Sequence, residues 1–441
     1  MILLCDVGST YTKLTVVDDN DIIASARAFT TVKTNIIEGY KQALYDIKHI
    51  CDTDKFNIKL AASSAAGGLK MVSSGLVPDL TAKASRLAAA SAGAKVIKTY
   101  SYELTKFDCE EIEHIAPDII LLSGGIDGGN KDVLLKNAES IANIQSNFCV
   151  IIAGNRSAAY EAHEILGKKQ AVICENVMPS FGKLNIEPAK NAIRDLFIKN
   201  IISAKGLNEL QAEMSDEIIP TPLAVFDAAK LLSERLGPLM VCDLGGATTD
   251  VYSMADGISD KKAYIQGLIE PYAKRTVEGD IGMRYSLRAM LDLAEFPDYV
   301  KEWANICESD PSVIAREEHE KKAEEIIAYE AIRLSSARHV GFIEKAYTPI
   351  GETLIQTGKD LSSVKYIIGT GGAIINSPDI LKAAKYSPSD LNLLKPQNPI
   401  FLIDKKYCMA AMGLLAQKDP DLAYNIMEKN LMEVITIPGA V

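Results

Sequence analysis

The chain has 441 residues, 48% of them apolar and 24% charged, which is enough for two or three domains with sizeable cores. Its formal net charge of −11 argues against a nucleic-acid surface, because phosphate backbones demand stripes of Lys and Arg. No run approaches the ~18 apolar residues of a membrane span, and Asp6 is reached after four apolar residues with no basic leader. A cytoplasmic protein without nucleic-acid or membrane partners is expected. The eight cysteines are scattered with no C-x-x-C pair, and Cys5 and Cys242 read as small buried hydrophobes.

In chain order, Ile2 to Cys5 reads as a buried strand ending in Asp6, followed by a turn of Gly8, Ser9 and Thr10. Leu14 and Val16 alternate with Thr15 and Val17 as the returning strand of a hairpin. Gly8 permits close backbone approach, Ser9 and Thr10 supply hydroxyls, and N–H groups converge at the turn, which is chemistry for cradling phosphate. Asp6 would be repelled by phosphate but can hold a magnesium ion through water.

A helix is predicted over 36–50, a strand over 58–62, and helix, strand, helix over 81–92, 95–100 and 105–116. The small residues of 61–69 suit a tight packing point or a loop bordering a cleft. The strand 119–122 runs into Ser123-Gly124-Gly125, and Gly128-Gly129-Asn130 precede a helix over 131–142. Asp127 and Asn130 suit its N-cap, or the glycines line a cleft floor. Strand 148–153, helix 157–166 and strand 171–176 continue the alternation, which implies parallel sheet with crossover connections. A break at Met178–Gly182 and one long helical region over 187–211 follow. Gly182-Lys183 lacks the upstream glycine of a P-loop.

The first hairpin's grammar then returns. Leu239 to Cys242 leads into Asp243, Gly245, Gly246, Ala247 and Thr248, with Asp250 on the returning strand, and Asp243 stands 237 residues after Asp6. Each hairpin precedes an apolar strand ending in a glycine pair: Gly124 lies 118 residues after Asp6, and Gly371-Gly372 begins 128 after Asp243. A duplicated α/β unit is expected, with two phosphate hairpins facing across a cleft. Its first lobe is placed at 1–176, a connecting segment at 177–222 and the second lobe at 223–441. The charged stretch 316–338 reads as one long helix, and the small residues of 407–417 as a closely packed one.

These motifs resemble the actin, sugar-kinase and heat-shock-chaperone ATPase superfamily, with Gly369–Ala373 as the adenosine motif. Adding Leu122–Asn130 and Arg275–Arg284, the chain is similar throughout to the MutL-like glutamate mutase accessory family, unrelated to the mismatch-repair protein of that name. The resemblance implies two RNase H-like lobes around a nucleotide cleft and ATP hydrolysis, expected to be slow because the superfamily's lysine beside the γ-phosphate has no clear counterpart here. ATP or ADP would be held by Gly8, Ser9, Thr10, Gly245, Gly246, Ala247, Thr248, Gly371 and Gly372. Mg2+ would be positioned through water by Asp6 and Asp243, with Asp250 orienting the attacking water. Glu278 and Arg284 are candidates for covering the adenosine, or plain surface charge. Lys13 is the nearest lysine to the phosphates but is expected to point away from them.

The partner the resemblance implies is an adenosylcobalamin-dependent mutase, either glutamate mutase or an aminomutase, reactivated by exchange of damaged cobalamin. The chain has no D-x-H-x-x-G motif and its five histidines do not cluster, so it is not the cobalamin holder. A small-molecule kinase, with Asp127 or Asp280 as base, and an actin-like filament protein are the alternatives. A homodimer stays open.

Overall fold

In the computed structural model, Ile2–Val7 (β1) and Tyr11–Asp18 (β2) form the expected antiparallel hairpin. The structure describes residues 1–431 and 433–434, apart from 32–34, 65–69, 202–205, 260–262 and 350. Asp21–Phe29 (β3) extends the hairpin, while Ile58–Ser63 (β4) runs parallel to β1 on its other side. Helix α1 (Ile36–Lys48) packs Ile37, Tyr40, Ala43 and Ile47 onto this sheet, and the Asn35 side chain caps its start.

A second, all-parallel sheet follows. It comprises Lys70–Gly75 (β5), Lys95–Ser101 (β6), Ile119–Leu122 (β7), Cys149–Ile152 (β8) and Gln170–Ile173 (β9), in the order β6-β5-β7-β8-β9. Helix α2 (Lys83–Ser91) covers one face through Ala84, Ala88 and Ala89. Asp127 does not cap the helix after β7; it accepts from the Arg156 N–H and from Asn176, whereas Asn130 accepts from Val133 in the first turn. The region 187–211 forms two helices, Glu187–Ile201 and Leu207–Glu213, with Gly206 at φ +86° opening the second. Leu207, Leu210 and Ile218 join the core under β1, and Ile219–Pro220 (β10) pairs with β4.

The second hairpin is Leu239–Leu244 (β11) with Thr249–Met254 (β12). After the short strand Tyr264–Gln266 (β13), Ala273–Glu278 (β14) extends the hairpin. Phe342–Thr348 (β15) and Gly351–Thr357 (β16) form an antiparallel ribbon that β13 joins. Tyr366–Thr370 (β17) runs parallel to β11, and Ile400–Ile403 (β18) and Glu433–Val434 (β19) complete the sheet. The charged helix spans Glu318–His339.

The duplication is therefore one of topology. The sheet β10-β4-β1-β2-β3 maps strand for strand onto β18-β17-β11-β12-β14, with every parallel and antiparallel pairing preserved. This is the actin-like ATPase fold of two RNase H-like lobes. It corrects one expectation: the counterpart of β17 is β4, not β7. Buried parallel strands all read as short apolar runs, so the spacing of Gly124-Gly125 imitated a repeat that lies elsewhere. The glycines that do follow β4, Gly67 and Gly68, fall outside the described residues.

Two helices fill the space between the hairpin sheets. Thr221–Leu236 and Met409–Ala416 share one core with Leu4, Leu60 and Ala62 of the first sheet and Leu239, Val241 and Tyr252 of the second. A Cβ on Gly413 would run into the Ala224 backbone, so the small residues expected to pack closely do so here. Among the described residues no helix is long and apolar enough to cross a membrane.

Candidate functional site

The two turns share one backbone design. Gly8 N–H donates to the Tyr11 carbonyl at 3.0 Å, and Gly245 N–H donates to the Thr248 carbonyl at 3.0 Å. A Cβ would come within 2.8 Å of the Tyr11 oxygen at Gly8 and 2.9 Å of the Thr248 oxygen at Gly245, so each turn closes this tightly only on glycine. The turns also face each other. Thr10 Oγ1, in the first lobe, lies 3.5 Å from where a Cβ on Gly246 would stand. Ser9 sits at the tip of the first turn and Ala247 in the second, where its carbonyl accepts from Ser286 at 2.6 Å.

Strand register sets the side chains between the turns. Asp6 pairs across its hairpin with Lys13, and Asp243 pairs across its own with Asp250. Cross-strand partners share a face, so all four project to the side that faces the other lobe. Lys13 thus does not point away: its ammonium is 3.6 Å from Asp6 and 3.1 Å from the centre of the Tyr407 ring. The expectation failed because nearness in sequence was read without the register. Burial works against the Lys13 charge, but Tyr407, Asp6 and Asp243 outweigh it and hold the ammonium above its ordinary range.

The other Asp6 oxygen accepts from Thr221 Oγ1 at 2.8 Å, at the start of the helix between the lobes. Asp243 is half-buried at the cleft floor. Withdrawal from water, then the Asp250, Asp6 and Asp404 charges, push its carboxyl up to about 7, against the pull of Lys13. Among the described residues, no three His, Cys, Asp or Glu side chains are grouped to hold a metal by themselves. A cation held here by Asp6 and Asp243 would therefore have to keep part of its water shell.

Asp250 is buried and held. Arg275 on β14 donates Nε–H to Asp250 Oδ1 at 2.8 Å, and its Nη1 reaches the carbonyls of Ala90 at 2.8 Å and Ala94 at 3.2 Å, at the C-terminal end of α2. Thr248 Oγ1 leans toward the other Asp250 oxygen at 3.4 Å. The pair therefore spans the two lobes.

On the adenosine side, Gly371 has φ +108° and packs against the Leu244 carbonyl at the end of β11, whereas a Cβ on Gly372 would stand in open space. The neighbouring Thr370 Oγ1 donates to Asp404 at 3.0 Å, and Asp404 accepts the N–H groups of Cys408 and Met409. Arg284 lies beside Gly246: its N–H donates to the Gly246 carbonyl at 2.8 Å while its guanidinium pairs with Glu324 at 2.6 Å. Glu278 is paired at 2.8 Å with Arg338, which also holds Asp280. Sequence reasoning missed Thr221, Asp404, Tyr407 and Arg275, which reach the cleft from distant segments. Only Asp404, a lone acid between a strand and a helix start, carried a local signal.

A family model described as MutL protein matches residues 2–431. A relative from Clostridium tetanomorphum, Protein MutL, is 44% identical over 461 aligned positions, covering 98% of this chain and 99% of that protein. Likenesses to solved structures are remote. Nucleotide-free acetone carboxylase has 13% identity over 94% of this chain and 70% of that one, with a TM-score of 0.42. Component A of the (R)-2-hydroxyglutaryl-CoA dehydratase of Acidaminococcus fermentans has 10% identity over 94% and 95%, with a TM-score of 0.29. The ligand-bound xylulose kinase of Lactobacillus acidophilus has 14% identity over 98% and 93%, with a TM-score of 0.34. On the family model and the full-length relative, this chain belongs to the MutL family.

Proposed function

We propose that this protein binds and hydrolyses ATP between its two lobes and uses the accompanying closure to reactivate an adenosylcobalamin-dependent mutase. The observation that carries the nucleotide half is the pair of matching turns, with Gly246 and Thr10 opposed across the cleft.

In this reading the N–H groups and hydroxyls around Ser9-Thr10 and Ala247-Thr248 take the phosphates, and Lys13 supplies the positive charge beside Asp6. Asp6 and Asp243 would hold Mg2+ through water, and that ion, when bound, neutralises phosphate charge. Asp250 orients the attacking water, its carboxylate held in place by Arg275 on one oxygen. Gly371 and Gly372 leave room for the adenosine to lie against backbone. Closure then rotates one lobe on the other around the shared helices.

The mutase half rests on membership of the MutL family and on the resemblance to glutamate mutase accessory proteins. The test is ATP turnover with and without a cobalamin mutase of the same organism inactivated by hydroxocobalamin, with Asp243→Asn as control. Recovery of mutase activity only with ATP, adenosylcobalamin and the intact protein supports the proposal. Turnover stimulated by a small metabolite instead of the mutase would move the protein to the kinases. Failure to bind ATP would overturn both halves.

A further inference from the structure

The loop between β18 and the helix Met409–Ala416 carries a backbone outlier at the floor of the cleft. Tyr407 has a φ of +54°, in the left-handed region that a bulky side chain enters only where its surroundings impose it. Its ring lies against Lys13 of the first hairpin. We propose that Tyr407 is a positioning residue, whose ring reaches from the second lobe to hold the Lys13 ammonium where the phosphates of ATP would lie. This role rests on the reading of the cleft as a nucleotide site and names what aims Lys13.

Hydrogen bonds on both sides of Tyr407 fix its backbone. Upstream, the Asp404 N–H donates to the Gly369 carbonyl at 2.9 Å, which seats the loop beside β17. The Asp404 carboxylate is wholly buried and accepts from Thr370 Oγ1 at 3.0 Å, Cys408 N–H at 2.8 Å and Met409 N–H at 3.0 Å. The Tyr407 N–H donates to the Asp404 carbonyl at 3.1 Å, so the turn closes inside that grip. Downstream, the helix is buried in the core shared by the two hairpin sheets. Asparagine or glycine would take the left-handed conformation at less cost. An aromatic side chain stands there instead, and what it touches is Lys13.

The Lys13 ammonium is 3.1 Å from the ring centre and 3.6 Å from Asp6 Oδ2, held between a ring of one lobe and a carboxylate of the other. A lysine head on its flexible stem has many positions open to it, and an electron-rich ring face removes most of them. The ring also fixes the ammonium without neutralising it. Asp6 and Asp243 already attract that charge, and a further carboxylate in place of Tyr407 would compete with phosphate for it. Asp404 meanwhile ties the same loop to Thr370, the neighbour of Gly371. Collapse of the loop would therefore disturb the adenosine edge, whereas loss of the ring alone would disturb only the phosphate side.

The experiment compares the full-length parent with Tyr407→Phe, which keeps the ring, and Tyr407→Asn, which removes it and tolerates the left-handed backbone. Magnetic resonance of chains labelled at the lysine ε carbons reads the contact without nucleotide. The Lys13 signal, assigned by its loss in Lys13→Arg, should be displaced upfield in the parent and in Tyr407→Phe. In Tyr407→Asn it should return to the ordinary lysine position. An undisplaced signal in the parent overturns the positioning role. Calorimetric titration then reads what the contact does. Tyr407→Asn should weaken binding of ATP and inorganic tripolyphosphate about tenfold or more, and Tyr407→Phe less than about twofold. Adenosine affinity should be equal in all three chains. Equal tripolyphosphate affinities, or a loss that adenosine shares, overturn the role, as does a Tyr407→Phe chain that fails like Tyr407→Asn. In a Lys13→Met background Tyr407→Asn should add no further loss, and a full further loss overturns the route through Lys13. A parent that binds neither ATP nor tripolyphosphate overturns the nucleotide reading, while the resonance measurement still decides whether Tyr407 holds Lys13.

Discussion

The two hairpins have one backbone and opposite chemistry. Both place an aspartate at the end of the first strand, close the turn on a glycine N–H, and aim the residue seven positions after the aspartate into the cleft. In the first hairpin that residue is Lys13, which faces Asp6 directly. In the second it is Asp250, which faces Asp243 and depends on Arg275 from a third strand for its counter-charge. Duplication supplied the geometry twice; a single position then made one half cationic and the other a carboxylate pair.

The largest expected effect comes from abolishing this difference. Lys13→Asp would set carboxylates at all four positions, and repulsion at such short range is strong when water is excluded. ATP affinity should fall at least ~10²-fold, measured by titration with a fluorescent nucleotide. Unchanged affinity would show that Lys13 does not serve the phosphates. Next in size, Arg275→Ala leaves Asp250 buried without a counter-charge, with only the 3.4 Å contact from Thr248, a loss of about 3–5 kcal/mol in denaturant unfolding. The same truncation at Lys13 should cost less, since Asp6 keeps its hydrogen bond from Thr221. Equal costs would mean that the two counter-charges are interchangeable.

A smaller effect separates Asp243 by pH. Its carboxyl is raised from the ordinary 3.8 to about 7, so between those values the folded chain holds a proton that the unfolded chain has released. Stability from this group therefore falls as pH rises through the window, and is flat above about 7. Asp243→Asn lacks the titration and should gain stability over the parent at pH 8 relative to pH 5, read as melting temperature. Parallel profiles would argue that Asp243 ionises normally. Magnesium with nucleotide should flatten the parent's slope, because a nearby cation favours the charged carboxylate.

Much of this comparison was legible in the sequence, for physical reasons. Short apolar strands, a glycine where the turn must close, and hydroxyls beside it are local signals, and they located both hairpins and β17 correctly. What escaped depends on register and on distant segments. Lys13 could be aimed only once Asp6 and Lys13 were known to be cross-strand partners. Strands β4 and β7 are both short, apolar and followed by glycines, and only hydrogen bonding tells which one lies beside β1. Arg275 opens a segment that the sequence singles out, but nothing local shows that it is 2% exposed with α2 closed over it.

The smallest expected effect tests the one part of the site that the first hairpin does not duplicate among the described residues, the glycine pair after β17. Gly371 and Gly372 adjoin in sequence but face different constraints. Gly371 has a left-handed φ of +108° and lies against the Leu244 carbonyl, so Gly371→Ala should cost about 1–3 kcal/mol of stability. Gly372 opens the helix Gly372–Asn376 and has no atom within 4 Å of its Cβ position. Alanine there should leave stability unchanged or raise it by up to ~1 kcal/mol. Its methyl group would instead occupy the surface against which adenosine is proposed to lie, and ATP affinity should drop severalfold while the affinity for inorganic tripolyphosphate, which has no base, stays the same. Measured together, the melting temperature and the two affinities distinguish a glycine kept for the fold from one kept for the ligand. A Gly372→Ala variant that binds ATP as tightly as the parent would remove the adenosine from this edge of β17 and leave the phosphate turns as the nucleotide's only proposed anchor.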